Sequence, residues 1–577
     1  MKAPPISPDS PDSALPDQTP DTSTHSVAVP RTRLQRLLPF TGWQPVHPGQ
    51  LKTEISAGIT VGLMVLPQGV AYAALAGMPL VTGIYAALLP ALIAAMWGSS
   101  TRLSVGPTAL TCLLIGSSLS SLATPGSAEW VQLAIWLAIF SGLVQLVLGL
   151  GRFGWLLNLV TSPVLAGFTQ AAALLILASQ LPKLLGWSGG LTANATLHGP
   201  TAVFGVLCLM VLLLARRWLP RFPAALAVIA ASAVLGVWLQ VAQKGVPIVG
   251  ALPSGFPHLG LPDLPSLTAL QALLLPTLII AMVSFLETAS SAKVEHQRAG
   301  TRWNENQDLV AQGLAKLVSA LCGAFPTSTS FSRAAIFLQA GAKTPWATVV
   351  STVVIGLALF ILMPTLYHVP QAVLAAVVIS AVVGLIKPAS FRGIWRVSPI
   401  EAATAGTTFV LTLLTAPHLY WGVLAGVLMT LAHFLHHRLH PRIIEVGLHG
   451  DGSLRDRHLW KLPPLAPRLY ALRMDAELDF ASASGFLATI DQHLNLHPET
   501  QHVCLFAQPI NRIDVSGVEA FVQLRQTLAM RDITLHISGI KLPVEKILVR
   551  AHALPAHAKL RIYRADPEAL LALAALR

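Results

Sequence analysis

The sequence predicts a polytopic α-helical membrane protein with about fourteen transmembrane segments, followed by a small cytoplasmic α/β domain. The chain is 53% hydrophobic and only 11% charged, with a mean hydropathy of +0.63, too apolar for a water-soluble fold. Between Glu54 and His437 it holds about fourteen apolar runs long enough, or nearly so, to cross a bilayer. After Arg442 the pattern changes to short alternating stretches, LYALRMDAELDF from Leu469, HVCLFAQ from His502 and ITLHISGI from Ile533, separated by amphipathic helical stretches.

In chain order, residues 1–40 come first. They are rich in Pro, Ser, Thr and Asp and hold no apolar stretch, so they read as a disordered tail and not as a signal peptide. Residues 41–442 form the membrane part. With a cytoplasmic N-terminus, the inner loops hold Arg102, Arg152, Arg216, Arg217, Arg221, Lys293, Arg298, Arg302, Lys343, Lys387, Arg392, Arg396, Arg438 and Arg442, and the outer loops only Lys183 and Lys244. That asymmetry fixes an even number of spans and places both termini in the cytoplasm. It also accounts for the formal charge of +12 without nucleic acid. Residues 443–468 read as a linker to the 469–577 domain. The four cysteines lie too far apart for a zinc site or a disulfide framework. His433, His436, His437 and His440, at the cytoplasmic end of the last span, read as snorkelling side chains and not as a metal site. No GxxxxGK[ST] loop is present, so a P-loop ATPase is excluded. No cofactor and no enzymatic chemistry is expected.

Two of the apolar runs are short. One opens at Pro107 and the other near Ser330, third and tenth in order, as expected for two seven-span halves in an inverted repeat. Paired interrupted segments at corresponding places are where membrane carriers build ligand sites. The spacing repeats too: Pro67 precedes Pro107 by about forty residues, and Glu287 precedes Ser330 by about as many. A helix that begins inside the bilayer leaves amide N–H groups without partners, which is tolerated only against protein or a wet cavity. Those amides make an anion site. Pro107 suits the first position of one half-helix, since proline lacks the donor that would go unbonded there. Ser330 suits the N-cap of the other.

Each helix start supplies about half a positive charge. Arg333, within PTSTSFSRAAI from Pro326 to Ile336, adds a full one. The sum fits a dianion, with Arg333 as the floor of the pocket and Ser332 and neighbouring hydroxyls as donors. The alternative for Arg333 is an ion pair with a structural carboxylate or a snorkel to the interface. Glu287, in SFLETASSAK from Ser284 to Lys293, reads as the other ionisable group at membrane depth. An incoming dianion favours its protonation, and by reciprocity the proton favours the anion. A fixed salt bridge to Arg333 is the alternative. In the first span, LPQGVAYAALAGMP from Leu66 sets Pro67 beside Gln68, with Tyr72 four residues on along the same face. Both side chains can donate to an oxyanion, and both can equally tie helices together.

These residues carry a resemblance to a known family. LPQGVAYAALAGMPLVTGIYAALLPALIAAMWGSSTRLSVGP, from Leu66 to Pro107, closely resembles the signature region of the SulP (sulfate permease) anion transporters. SFLETASSAK with FPTSTSFSRAA resembles the plant and bacterial sulfate transporters of that family, and the C-terminal part resembles their STAS domain. The likeness covers all but the first forty or so residues. It implies a seven-plus-seven inverted repeat with two half-helices, a core domain moving against a gate domain in an elevator-like way, and a homodimer. It further implies inward transport of sulfate, or a related small anion, across the inner (plasma) membrane with protons. In carriers of this type the anion is held by residues matching Gln68, Tyr72, Ser332 and Arg333 and by the half-helix starts, here Pro107, Thr108 and Ala109 in one and Ser330 and Phe331 in the other. A glutamate matching Glu287 is implicated in proton coupling.

Relatives that move bicarbonate with sodium carry an aspartate-containing eighth span and lack the Ser-Arg pair. Animal relatives that exchange chloride keep Ser-Arg but generally lack this glutamate. Both differences favour sulfate with protons. The alternatives are exchange of bicarbonate, chloride or dicarboxylates, or an anion sensor or scaffold acting through the STAS-like domain and a cytoplasmic partner. NRIDVSGVEAF from Asn511 places Ser516 where related bacterial regulators are phosphorylated. A helix cap by Asp514 or Ser516 is the plainer use.

Overall fold

The computed structural model describes residues 38–577 except 44, 189–195, 219–223, 242, 251–254, 261, 362–366, 417, 555–558 and 577. The expected N-terminal tail, but for its last three residues, and Arg221 therefore lie outside the described residues.

The described membrane part is fourteen helical segments. The first half is α1 (Pro48–Leu75), α2 (Leu89–Trp97, entered through the turn Thr82–Tyr85), α3 (Ala109–Leu119), α4 (Ala128–Leu150), α5 (Ser162–Leu185), α6 (Gly199–Trp218) and α7 (Ala224–Trp238). The second is α8 (Leu267–Ala299), α9 (Glu305–Leu321), α10 (Phe331–Gln339), α11 (Trp346–Ile361), α12 (Gln371–Val382), α13 (Pro399–Leu414) and α14 (Tyr420–Leu439), with the amphipathic helix Pro388–Val397 before α13. Six stretches, Pro48–Leu75, Ala128–Leu150, Ser162–Leu185, Gly199–Trp218, Leu267–Ala299 and Gln371–Val397, are long and apolar enough to cross a bilayer. The third and tenth segments have 11 and 9 residues, half of the ~20 a span needs; α2 and α12 are as short by themselves, but each is prolonged by an adjoining helical stretch, Thr82–Tyr85 before α2 and Val383–Leu385 after α12.

The halves interlock by exchange. α4 packs on α8 and α9, and α11 packs on α1 and α2, the reciprocal pairing an inverted repeat produces. Glycines permit the closest crossings. A Cβ on Gly142 would lie 2.9 Å from the Gly313 carbonyl oxygen, and one on Gly58 would lie 2.6 Å from that of Ala347, so no larger residue fits without displacing backbone. α5–α7 and α12–α14 pack chiefly on one another and touch the first group mainly through α1, with smaller contacts of α5 on α3 and α14 on α8. Two helix groups result, and the two short helices belong to the first.

Two short strands, β1 (Val105–Gly106) and β2 (Ser328–Thr329), lie just before α3 and α10. The C-terminal domain is a six-stranded sheet of β3 (Ile443–Leu448), β4 (Leu454–Asp456), β5 (Leu469–Met474), β6 (His502–Phe506), β7 (Thr534–Ser538) and β8 (Leu560–Tyr563), in the order β8-β7-β6-β5-β3-β4. β5 to β8 run parallel, whereas β3 is antiparallel to β5 and to β4. The stretch 443–468, expected as a linker, thus supplies two strands. Ile444 and Val446 alternate inward onto the sheet's own apolar cluster, a pattern too short to stand out among the polar residues that follow. Helices α15 (Ala483–Leu496), α16 (Val515–Met530), α17 (Leu542–Arg550) and α18 (Asp566–Ala574) complete the domain. Arg438, in the last turn of α14, bonds Glu477 at 3.1 Å and Asp479 at 3.3 Å and ties the domain to the membrane part. The histidines at the end of α14 contact in pairs, His433 edge-on to His437 and His436 tilted against His440, each with ring centres 4.4 Å apart.

Candidate functional site

The two chain breaks meet. Val105 pairs with Thr329 and Gly106 with Ser328 in an antiparallel β1–β2 ladder, and the Ser330 amide donates to the Ser104 carbonyl at 2.9 Å. This pins the starts of α3 and α10 to one place. Thr108 caps α3, its backbone extended and its hydroxyl accepting from the Thr111 amide at 3.4 Å, so the helix starts at Ala109 and not at Pro107. Pro107 stands just outside the helix. A hydroxyl satisfies an orphan amide, which a proline cannot. Ser330 caps α10 as its residue type predicts, accepting from the Arg333 amide at 3.5 Å.

Arg333 is completely buried. Its Nε donates to Ser104 Oγ at 3.0 Å, its Nη1 to Gln68 Oε1 and to the Pro107 carbonyl, both at 3.2 Å, and its Nη2 to the same carbonyl at 3.2 Å. The planar fork therefore bridges α1, the approach to α3, and α10. No carboxylate pairs with it among the described residues. A salt bridge to Glu287 and an ion pair with a structural carboxylate, the two alternatives open in the sequence, are not seen. Gln68 spends its amide oxygen on the guanidinium and leaves Nε2 without a partner among the described residues. Tyr72 is buried beside it, and its hydroxyl likewise has no partner among them. Ser332 and Phe331 are exposed, and Ser332 Oγ lies 3.2 Å from Ser330 Oγ. The neighbours Ser332 and Arg333 thus leave α10 in different directions. Ala109, the first residue of α3, is buried.

Glu287 lies under the start of α3. Its Oε2 accepts from Thr108 Oγ1 at 3.0 Å and Thr111 Oγ1 at 3.2 Å, so one threonine both caps the half-helix and holds the carboxylate. Further hydroxyls knit α8 to β2: Ser328 Oγ donates to the Ser284 carbonyl at 2.9 Å, and Thr288 Oγ1 lies 2.9 Å from Thr329 Oγ1. Two buried carboxylates clamp the loop into α3. Asp308 accepts from the Ser99 amide at 2.6 Å, Ser100 Oγ at 2.6 Å and Trp303 Nε1 at 2.7 Å, and Glu295 accepts from the Thr101 amide at 3.0 Å. Glu54 does the same after α10, accepting from the Lys343 amide at 2.7 Å.

Sequence reasoning missed Ser104, Thr111 and above all Lys316, a third ionisable group at membrane depth, fully buried on α9. The signal was present, since a lysine inside GLAKLVSAL is as costly in lipid as Arg333. In the C-terminal domain Asp514 caps α16, accepting from the Gly517 amide at 2.9 Å. Ser516, in the first turn, is partly exposed.

Two interlocked membrane halves, a paired helix-start site and an appended α/β sheet define a multi-pass membrane transporter and not an enzyme. Residues 51–408 match the Sulfate permease family and residues 464–564 the STAS domain; the chain belongs to the sulfate permease family. It is 31% identical to the chloroplastic sulfate transporter 4.1 of Arabidopsis thaliana over 87% of this chain and 77% of that one. It is 30% identical to a probable sulfate transporter of Mycobacterium tuberculosis over 90% of this chain and 95% of that one. The solved murine Slc26a9 anion transporter in its inward-facing state is 18% identical and shares the fold, with a TM-score of 0.84 over 96% of this chain and 97% of that one.

Proposed function

We propose that the protein carries sulfate, or a related oxyanion, inward across the inner membrane together with protons, as a homodimer with both termini in the cytoplasm. One observation carries this reading: the starts of α3 and α10 are laddered together, with the buried Arg333 across them and Glu287 bonded to the hydroxyl that caps α3. Two helix starts and a guanidinium present about two positive charges, which a dianion balances. Gln68 Nε2, the Tyr72 hydroxyl and the first amides of the two helices, at Thr108 and Ala109 and at Phe331 and Ser332, are the donors.

Glu287 supplies the coupling. While it is ionised it occupies the Thr108 and Thr111 hydroxyls and offsets the site's charge. Once protonated it releases both, and the hydroxyls turn to the anion. Proton and anion thus favour each other through shared donors. The division into two helix groups, with the site wholly on one of them, supports an elevator-like movement of that group against the other. The sulfate names of the relatives support the substrate, and uptake in the presence of a panel of anions ranks it.

The test is uptake of labelled sulfate by proteoliposomes under an inward proton gradient with voltage clamped. Accumulation above equilibrium is expected; none overturns the reading. A chain ending at Arg442 that still transports rules against a purely scaffolding role.

A further inference from the structure

Five cations at one end of the second helix group take no part in the anion site. Arg216 and Arg217 close α6 beside Trp218, and Lys387, Arg392 and Arg396 lie just before and along the amphipathic helix Pro388–Val397, which also carries Trp395. α13 starts beside that helix, and α14 returns antiparallel to α13, with Gly422 against Thr412 and Gly426 against Thr408. The cluster therefore sits at the end of the membrane part that carries the C-terminal domain.

Direct contacts bring the two stretches together. Arg216 Nη1 donates to the Ser380 carbonyl near the end of α12 at 2.9 Å, and its guanidinium lies against Gly384, so the end of α6 is fastened to the turn that leads into the amphipathic helix. That helix is seated on the protein by one face. Phe391 meets Phe409 of α13 edge-on with ring centres 5.8 Å apart, and Gln170 of α5 donates to Ser390 Oγ at 3.0 Å. Its other face is free: no residue of the helix is fully buried, and Arg392, Trp395 and Arg396 are exposed. Arg392 and Arg396, at i and i+4, stand side by side on that outer face.

Trp395 is 63% exposed and Trp218 is 76% exposed. Indoles left bare at the end of a membrane part suit the bilayer boundary, where the ring meets acyl chains and the N–H meets headgroups. None of the five cations pairs with a carboxylate among the described residues, whereas Arg102, Arg438 and Arg442 are each matched to one. Glu401, the next acidic residue in the chain, is exposed in the first turn of α13 and offsets one charge of the five. Guanidinium forks match phosphate oxygens. Arginines set beside bare tryptophans on an amphipathic helix therefore fit a ligand with both a phosphate and an acyl chain. We propose that this face binds the headgroups of anionic phospholipids, which fasten the second helix group to the bilayer surface.

Full-length protein, stripped of lipid, decides this without reference to transport. It is titrated with phosphatidylglycerol or with phosphatidylcholine of the same chains, and retained lipid is counted by native mass spectrometry. Wild type should keep phosphatidylglycerol in preference, and the double variant Arg392→Gln, Arg396→Gln should hold it about thirtyfold more weakly. The pair Lys293→Gln, Arg298→Gln removes as much charge from the end of α8, on the first group, and should leave the preference in place. In nanodiscs, amide exchange across Pro388–Val397 should slow when phosphatidylglycerol replaces phosphatidylcholine, and the Arg392 and Arg396 variant should lose that protection. Equal retention of the two lipids by wild type, an equal loss from the α8 pair, or exchange indifferent to lipid charge overturns the proposal. Displacement of the lipid by inorganic phosphate assigns the face to a soluble anion and overturns it too.

Discussion

At Arg333 one side chain joins three separated pieces of chain, and every guanidinium nitrogen is spent on them. Arg333→Ala removes the full positive charge at the helix starts and strands the Ser104 hydroxyl and the Pro107 carbonyl. Sulfate binding measured by calorimetry should weaken at least about tenfold, or about 1.4 kcal/mol; unchanged affinity removes Arg333 from the site. Glu287→Gln should bind sulfate yet lose its response to a pH gradient, and proton-driven accumulation persisting in that variant disproves the coupling role. Arg333 and Glu287 were legible because each interrupts a plainly apolar run. Lys316 was not, because Asp308, Gln312 and Lys316 recur at four-residue spacing on α9 and look like a wet face. In the structure that stripe faces inward and all three are buried.

At the scale of elements, the short third and tenth helices were readable from length and from the proline and serine that flank them. The β1–β2 ladder that unites them was not, since two-residue strands carry no periodicity. Nor was the start of α3 at Ala109, with Thr108 as its cap, two residues past the proline expected to open it. Thr108→Val deletes both the cap and one donor to Glu287. It should cost about 1 kcal/mol of stability and shift the pH dependence of uptake, whereas a loss of stability with an unshifted pH profile separates the cap from the coupling. Gly313→Leu should fail differently. A Cβ there already meets the Gly142 carbonyl oxygen at 2.7 Å, so overpacking of about 1–3 kcal/mol should lower the unfolding temperature of the membrane part. An unchanged unfolding temperature would show that α4 and α9 part easily.

Over the whole molecule, a membrane part and a C-terminal α/β domain were legible in the sequence, but two strands of that domain's sheet hid in an apparent linker. The sheet carries its own pH sensitivity. His536 is buried on β7 between His502, 3.2 Å from its Nε2, and the Tyr563 hydroxyl, 3.1 Å from its Nδ1. Burial, with His502 and Arg561 nearby, pushes it from 6.5 down to about 4. The unfolded imidazole therefore binds a proton that the folded one refuses, and stability falls as pH drops from about 6.5 towards about 4. Protection factors of the β6 to β8 amides in the full-length protein, corrected for the slower intrinsic exchange at low pH, should fall over that window. His536→Gln should flatten the trend, and an equal slope in the variant assigns the sensitivity elsewhere. The central claim, an anion cradled between two opposed helix starts, is tested most directly by solving the full-length protein with selenate and locating selenium by anomalous scattering. The predicted peak lies between the first turns of α3 and α10, beside Arg333. A peak only around Lys183 and Lys244, with none between those helix starts, would contradict it.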